Sequence, residues 1–232
     1  MFLSDFFYPR TCVNCHYLGT YLCPKCLTKL LYLKDQRCFY CQRPSRYGLT
    51  HPGCKKNPEI DGIISLFHYE PILKKIIHQF KYGLATLVFN EFFNSINWFE
   101  HYQYYRHWLK NTYLQPIPLH HQRLAQRGFN QALLIAQKIN NYLNLPWGNF
   151  LTRKINTKPQ VSFKDKSFRL NNLRGAFELG VLPPFGAGVL LVDDVITTGA
   201  TLKSAAQILK ITGRIKKIYA CLLYTSDAAD DL

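Results

Sequence analysis

The chain has 232 residues, 47% of them apolar, with 29 Lys and Arg against 14 Asp and Glu for a formal charge of +15. That length allows one ordinary domain and a small one with a sizeable core. No run of apolar residues approaches the roughly 18 that a membrane span needs, so membrane insertion is not expected. The excess of cations points to anionic partners, phosphates or nucleic acid.

Met1-Phe2-Leu3-Ser4-Asp5 carries no basic n-region and no small-residue cleavage site, which predicts a protein kept in the cytoplasm. Seven of the eight cysteines then follow between Cys12 and Cys54, spaced Cys12-x-x-Cys15, Cys23-x-x-Cys26, Cys38-x-x-Cys41 and His51-x-x-Cys54. Short paired turns of thiolates and imidazole suit tetrahedral Zn²⁺, and the segment holds few large apolar residues that would form a core without metal. A disulfide framework would need an oxidising compartment. Sequential pairing places Cys12, Cys15, Cys23 and Cys26 on one ion and Cys38, Cys41, His51 and Cys54 on a second. Spacing alone leaves an interleaved arrangement open, and it leaves His51 between ligand and surface residue. Four protein ligands close a zinc site to substrate, so residues 1–60 read as a structural or binding module.

Near Asp61-Gly62 the character changes. Ile63, Ile64, Leu66 and Phe67 predict a strand, and Pro71 opens a helix with Ile72, Ile76 and Phe80 on one face and Gly83 as its stop. A second apolar helix is expected from about Leu84 to Phe99, while His101 to Lys110 shows no firm pattern. Tyr113 to His120 reads as a strand entering a loop that Pro116 and Pro118 stiffen by fixing φ. After Arg123-Leu-Ala-Gln-Arg127-Gly-Phe-Asn-Gln131, a helix runs through Leu134, Ile135 and Ile139 to about Leu143. Thr152 to Leu173 is polar and basic, which suits either a hood over a site or a segment touching nucleic acid.

Val189 to Val192 is a short apolar run of the kind buried on both faces of a parallel sheet. Asp193 and Asp194 follow it, then Thr197-Thr198-Gly199-Ala200-Thr201, then a helix through Leu202, Ala205, Ala206 and Leu209 that Gly213 stops. A small-residue loop entering a helix can hold a phosphate on main-chain amides. The two carboxylates can accept from vicinal hydroxyls or hold a divalent cation. The plainer alternative is a capped helix after a buried strand. A nucleotide-triphosphatase reading lacks its G-x-x-x-x-G-K-[ST] loop. A last strand is expected to start in Lys217-Ile-Tyr-Ala. Cys221 to Asp231 resembles the translation of a sequencing-library adapter, so residues 221–232 are expected to be a non-native tail.

The stretch from Val189 to Thr201 resembles the 5-phosphoribosyl-1-diphosphate (PRPP) motif of type I phosphoribosyltransferases. Pro116-Ile-Pro118-Leu-His120, Arg123-Leu-Ala-Gln-Arg127-Gly-Phe-Asn-Gln131, Lys158-Pro-Gln-Val161 and Arg169-Leu-Asn-Asn-Leu-Arg-Gly-Ala-Phe177 resemble the competence protein F (ComF) family, as does the multi-cysteine start. The resemblance spans the chain up to Ala220 and departs from the family pattern at His51, where relatives usually carry cysteine. It implies an α/β fold for residues 61–220, a type I phosphoribosyltransferase-like parallel sheet flanked by helices, behind a small zinc ribbon.

It also implies that Asp193 and Asp194 act on the ribose hydroxyls as the catalytic pair and that Thr197, Thr198, Gly199, Ala200 and Thr201 cradle the 5′-phosphate. Pro118, Arg123 and Arg127 would face the pyrophosphate, with Mg²⁺ accompanying PRPP and Zn²⁺ structural. The implied role is handling incoming single-stranded DNA in natural competence, with competence-machinery proteins as partners. The alternative is an active phosphoribosyltransferase on a small-molecule acceptor, unrelated to DNA.

Overall fold

A computed structural model describes residues 9–54, 56–68, 70–81, 85–97, 105, 109–154, 175–196 and 198–225. Most of the basic stretch after Thr152, the phosphate-loop residue Thr197 and the end of the tail therefore lie outside the described residues. The chain divides into two compact units. One joins residues 1–32 to 67–97, and the other joins 33–66 to 98–232. The two cysteine groups fall in different units.

In the first unit a one-turn helix, α1 (Pro24–Leu27), follows Cys23, with proline at its first position where no N–H is needed. Then come α2 (Pro71–Lys81) and α3 (Ala85–Asn94). Their inward faces carry Ile72, Leu73, Ile76 and Ile77 on α2 and Val88, Phe89, Phe92 and Phe93 on α3, all buried. Periodic burial at three- and four-residue steps is what makes these two short segments helical. Phe67 stacks on Tyr32 with ring centroids 4.8 Å apart and lies 5.6 Å from Phe92. Glu91 leaves the exposed face of α3 to accept from the Tyr21 and Leu22 amides at 3.1 and 2.8 Å and from the Thr20 hydroxyl, fixing the turn before Cys23.

In the second unit the strands are β1 (Gly62–Phe67, whose last residue passes to the other unit), β2 (Thr112–Pro116), β3 (Leu151–Arg153), β4 (Phe177–Leu179), β5 (Ala187–Val192), β6 (Val195–Ile196) and β7 (Ile215–Thr225). The main sheet runs β1-β7-β5-β2 with β6 also on β7, and the β2–β5, β5–β7 and β6–β7 pairs are parallel. Helices α4 (His121–Arg127), α5 (Gln131–Leu143) and α6 (Ala200–Ile211) complete it. All six residues of β5 are buried, as a central parallel strand covered on both faces requires. Val189 and Leu191 point into one cluster with Ile218, Ala220 and Leu222 of β7 and with Leu202, Ala205, Ala206 and Leu209 of α6. Helix α5 packs against β2 and β5. Strand β7 begins two residues before the predicted Lys217 and continues through the buried Cys221, Leu222, Leu223 and Tyr224.

Asp61 joins β1 to β7. Its amide donates to Ile218 O at 2.6 Å, and its carboxylate accepts from the Ile218 amide at 2.8 Å and from Lys217 Nζ at 2.9 Å. The carboxylate thus stands in for a strand carbonyl.

Candidate functional site

The β2–β5 register sets the geometry. Pro116 lies opposite Val192, and the Ile117 amide donates to Val192 O at 2.9 Å, so the two strands end flush. The loop Pro118–His120 and the loop from Asp193 therefore leave the carboxyl edge of the sheet side by side, where ligands of parallel α/β sheets bind. Asn130 holds the first of these loops. Its amide nitrogen donates to Ile117 O at 3.0 Å while its Oδ1 accepts from the Ala132 amide at 3.0 Å and caps α5. Gly128, at φ 77°, provides the left-handed turn that ends α4 two residues earlier.

The second loop is held by β7. The Asp193 amide donates to Cys221 O at 3.1 Å, and the Leu223 amide donates to Asp194 O at 3.0 Å. Asp193 Oδ1 accepts from the Asp194 amide and Asp194 Oδ1 from the Val195 amide, each at 2.9 Å. Desolvation, and next the charge of Asp194, push the Asp193 carboxyl well above the ordinary carboxylate range, against the Asp194 amide and Arg153, which pull it down. Thr198 Oγ1 accepts from the Ala200 amide at 3.4 Å, and Gly199 starts α6 at φ 70°.

Cations gather on the other side. Arg153, the last residue of β3, lies 5.3 Å from the Phe177 ring; burial and then Arg123 lower its pKa while Asp193 raises it. Arg123, Arg153 and Asp193 thus share one electrostatic neighbourhood. His120 is buried, and its Nδ1 accepts from the Gln122 amide at 3.3 Å to cap α4. Burial, then His121, Arg153 and Arg123, lower its pKa against a hydrogen bond with the Lys154 main chain. The structure brings Asp193, Asp194, Thr198 to Thr201, the Pro118 loop and Arg123 to one sheet edge. Arg127 instead donates to Gln131 Oε1 at 3.3 Å, across the turn that joins α4 to α5.

Sequence reading placed Arg153 only in a general basic stretch. Its place at the site comes from the antiparallel pairing of β3 with β4, in which Arg153 faces Phe177.

The donor atoms of Cys12, Cys15, Cys23 and Cys26, and those of Cys38, Cys41, His51 and Cys54, each lie within 4.8 Å of one another. A tetrahedral ion with Zn–S bonds of about 2.3 Å sets sulfurs about 3.8 Å apart. The separations here are 3.5 Å for Cys15–Cys23, 3.8 Å for Cys38–Cys54, and 3.4 and 3.8 Å from His51 Nδ1 to Cys41 and Cys54.

Both groups are built alike. Cys12 and Cys38 each donate to the carbonyl five residues on, Tyr17 and Arg43. His16 and Gln42, each just after the second cysteine, turn at φ 62° and 58°. The Cys54 amide donates to His51 O as the Cys26 amide donates to Cys23 O, so His51 occupies the position that Cys23 holds in the first group. Burial pushes the Cys12 thiol up, but main-chain amides of Cys23, Cys15 and Asn14 outweigh it and bring it to about 6; at Cys41 the Arg43 main chain leads in lowering it to about 7. The partner thiols move the other way, Cys23 to about 12 by burial and Cys54 to about 11 chiefly by its hydrogen bond with Cys41, so within each group one thiol loses its proton ahead of its neighbour.

Scanned against models of protein families, the chain matches none. It is 30% identical to competence protein F of Haemophilus influenzae over 228 residues, covering 89% of this chain and 93% of that protein. The chain belongs to the ComF family. Other members are the DNA utilization protein YhgH of Escherichia coli K12, 28% identical over 81% of this chain and 84% of its own, and competence protein ComFC of Bacillus subtilis, 28% identical over 88% and 84%. At 89% of this chain, the match to competence protein F reaches into both compact units.

Proposed function

We propose that this ComF-family protein binds PRPP at the carboxyl edge of β2 and β5 and serves in the handling of single-stranded DNA during competence. The observation that carries the PRPP reading is the flush ending of the two strands. It sets the Asp193–Asp194 pair and the Gly199 turn on one loop, opposite Arg123 and Arg153. In this reading the two carboxylates accept from the ribose hydroxyls, and the amides from Thr198 to Thr201 at the start of α6 take the 5′-phosphate. Arg123 and Arg153 meet the pyrophosphate, for which their planar forks are suited. Asp193 and Asp194 supply the hard oxygen donors that Mg²⁺ prefers, and that ion, when bound with PRPP, would neutralise pyrophosphate charge. Zn²⁺ at the two tetrads is structural, one ion framing the cysteine group of each compact unit.

The DNA role rests on the names of the relatives and on the charge of the chain. A groove of about 650 Å³ is lined by Lys56, Lys210, Lys216 and Lys217 together with Glu59 and Asp61; Lys210 and Lys217 pair with Asp61, so Lys56 and Lys216 are the residues that would meet phosphate there, away from the sheet edge. Turnover is the second reading: the same two arginines would stabilise a departing pyrophosphate if an acceptor reached the anomeric carbon.

Calorimetric titration with PRPP and Mg²⁺ tests the site. Wild type binds, and Asp193→Asn/Asp194→Asn loses at least tenfold in affinity; equal affinities would overturn the reading. For DNA, the log of the binding constant should fall linearly with log salt, and Lys56→Glu/Lys216→Glu should flatten the slope.

A further inference from the structure

The Gly199 turn does not stand alone. A Cβ built on Gly199 would meet Phe39 Cζ and Cε2 at 2.7 and 2.9 Å, and Gly199 already sits at φ 70°. Phe39 lies inside the second metal knuckle, between Cys38 and Cys41, and keeps only 8% of its surface exposed. The same ring meets the helix one turn further on, where Lys203 Nζ lies 5.4 Å from the Phe39 centroid and 5.9 Å from that of Tyr40. Lys203 is tied back to the turn by its amide, which donates to Gly199 O at 2.9 Å. Tyr40 is itself anchored. Its ring meets Phe39 edge-on at 5.0 Å, its hydroxyl donates to Glu59 at 2.7 Å, and it accepts from the Ile60 amide at 3.3 Å.

Resting on the PRPP reading, we propose that Phe39 is a positioning residue of the phosphate loop, so that the second metal knuckle sets the left-handed turn on which the 5′-phosphate is held. The knuckle fixes Cα39 through the ligands on either side of it, the ring fills the space a Gly199 side chain would take, and the turn cannot relax toward the knuckle. Without the ring, Gly199 is free to sample other backbone states, since glycine has no steric bar to them. The amides from Thr198 to Thr201 then converge less often on one point. Arg123 and Arg153 stand on other elements, so pyrophosphate binding does not depend on the ring.

The test titrates wild type, Phe39→Ala and Phe39→Leu with two probes, ribose 5-phosphate and Mg²⁺-pyrophosphate, with bound zinc measured in each protein. Phe39→Ala is expected to lose about tenfold for ribose 5-phosphate and nothing for pyrophosphate, at wild-type zinc content. Phe39→Leu, which keeps the apolar contact and guards against loss of folding, is expected to fall between. Equal ribose 5-phosphate affinity in all three proteins, or a parallel loss of both probes, overturns the proposal. Failure of wild type to bind either probe refutes the PRPP reading itself, which separates the two claims. A cycle with Gly199→Ala adds a readout of the contact. That change should cost more affinity with Phe39 present than with alanine there, because the ring makes the two closest contacts with the new methyl, at 2.7 and 2.9 Å, ahead of Ile196 Cδ1 at 3.2 Å, and the strain of φ 70° is common to both backgrounds.

Discussion

Replacing Asp61 with alanine tests how β1 is attached to the sheet that presents the site. The carboxylate, 6% exposed, accepts from the buried Ile218 amide at 2.8 Å and from Lys217 and Lys210 at 2.9 and 3.4 Å. Removing it leaves a buried N–H without its acceptor, which costs about 1–3 kcal/mol. The Lys217 and Lys210 side chains are 52% and 30% exposed, so solvent screens their pairs to about 1 kcal/mol or less each. The sum is about 1–5 kcal/mol, and its middle value of about 3 kcal/mol is about 6–12 °C in Tm for a chain of this size. Asp61→Asn keeps an oxygen for the Ile218 amide and loses only the screened pairs, so it should cost about 1 kcal/mol. Urea unfolding of zinc-loaded protein, with unchanged m-value, measures both. If the alanine and asparagine variants lose the same amount, or if 0.5 M salt erases the alanine deficit, the ion pairs and not the amide hold the strand, and the reasoning is wrong.

Asp193 gives a pH-dependent expectation. Its raised pKa means the folded chain keeps a proton that the unfolded chain releases, so this contribution to stability is complete below the ordinary carboxylate value of about 4 and is lost as pH rises through the higher folded value. Ligand-free Asp193→Asn should therefore melt a few degrees above wild type at pH 8, with the gap closing toward pH 4; a variant less stable at pH 8 would contradict this. Glu91→Ala should cost about 1–3 kcal/mol by stranding the Tyr21 amide and leaving the Leu22 amide the Thr20 hydroxyl at 3.3 Å, and chelator-release kinetics should show zinc leaving Cys12, Cys15, Cys23 and Cys26 faster. Elemental analysis should find about two zinc ions per chain, and His51→Ala should remove one while His51→Cys retains it.

Where the chain wrote its structure in periodic burial, the sequence was readable. The unbroken apolar run of β5 and the stepped Leu202, Ala205, Ala206 and Leu209 of α6 mark a strand and a helix without any partner in view. Helix α4 gives no such signal because it buries none of its residues; the His120 cap and the Gly128 turn define it instead. The β3–β4 hairpin is three residues on each side, too short for a period, and its pairing spans a stretch of polar sequence. That is why Arg153 was legible as a charge but not as a neighbour of Asp193. The contact of Phe39 with Gly199 joins positions 160 residues apart, which no local pattern encodes.

The division of the chain has a consequence for its synthesis. The body holding the first four cysteines has all its segments once residue 97 has left the ribosome. The frame around Cys38, Cys41, His51 and Cys54 must wait for α6 and β7, since Phe39 rests on Gly199 and Asp61 binds Ile218. The first cysteine group can be framed before residue 98 is made, and the second only after α6 and β7 have emerged.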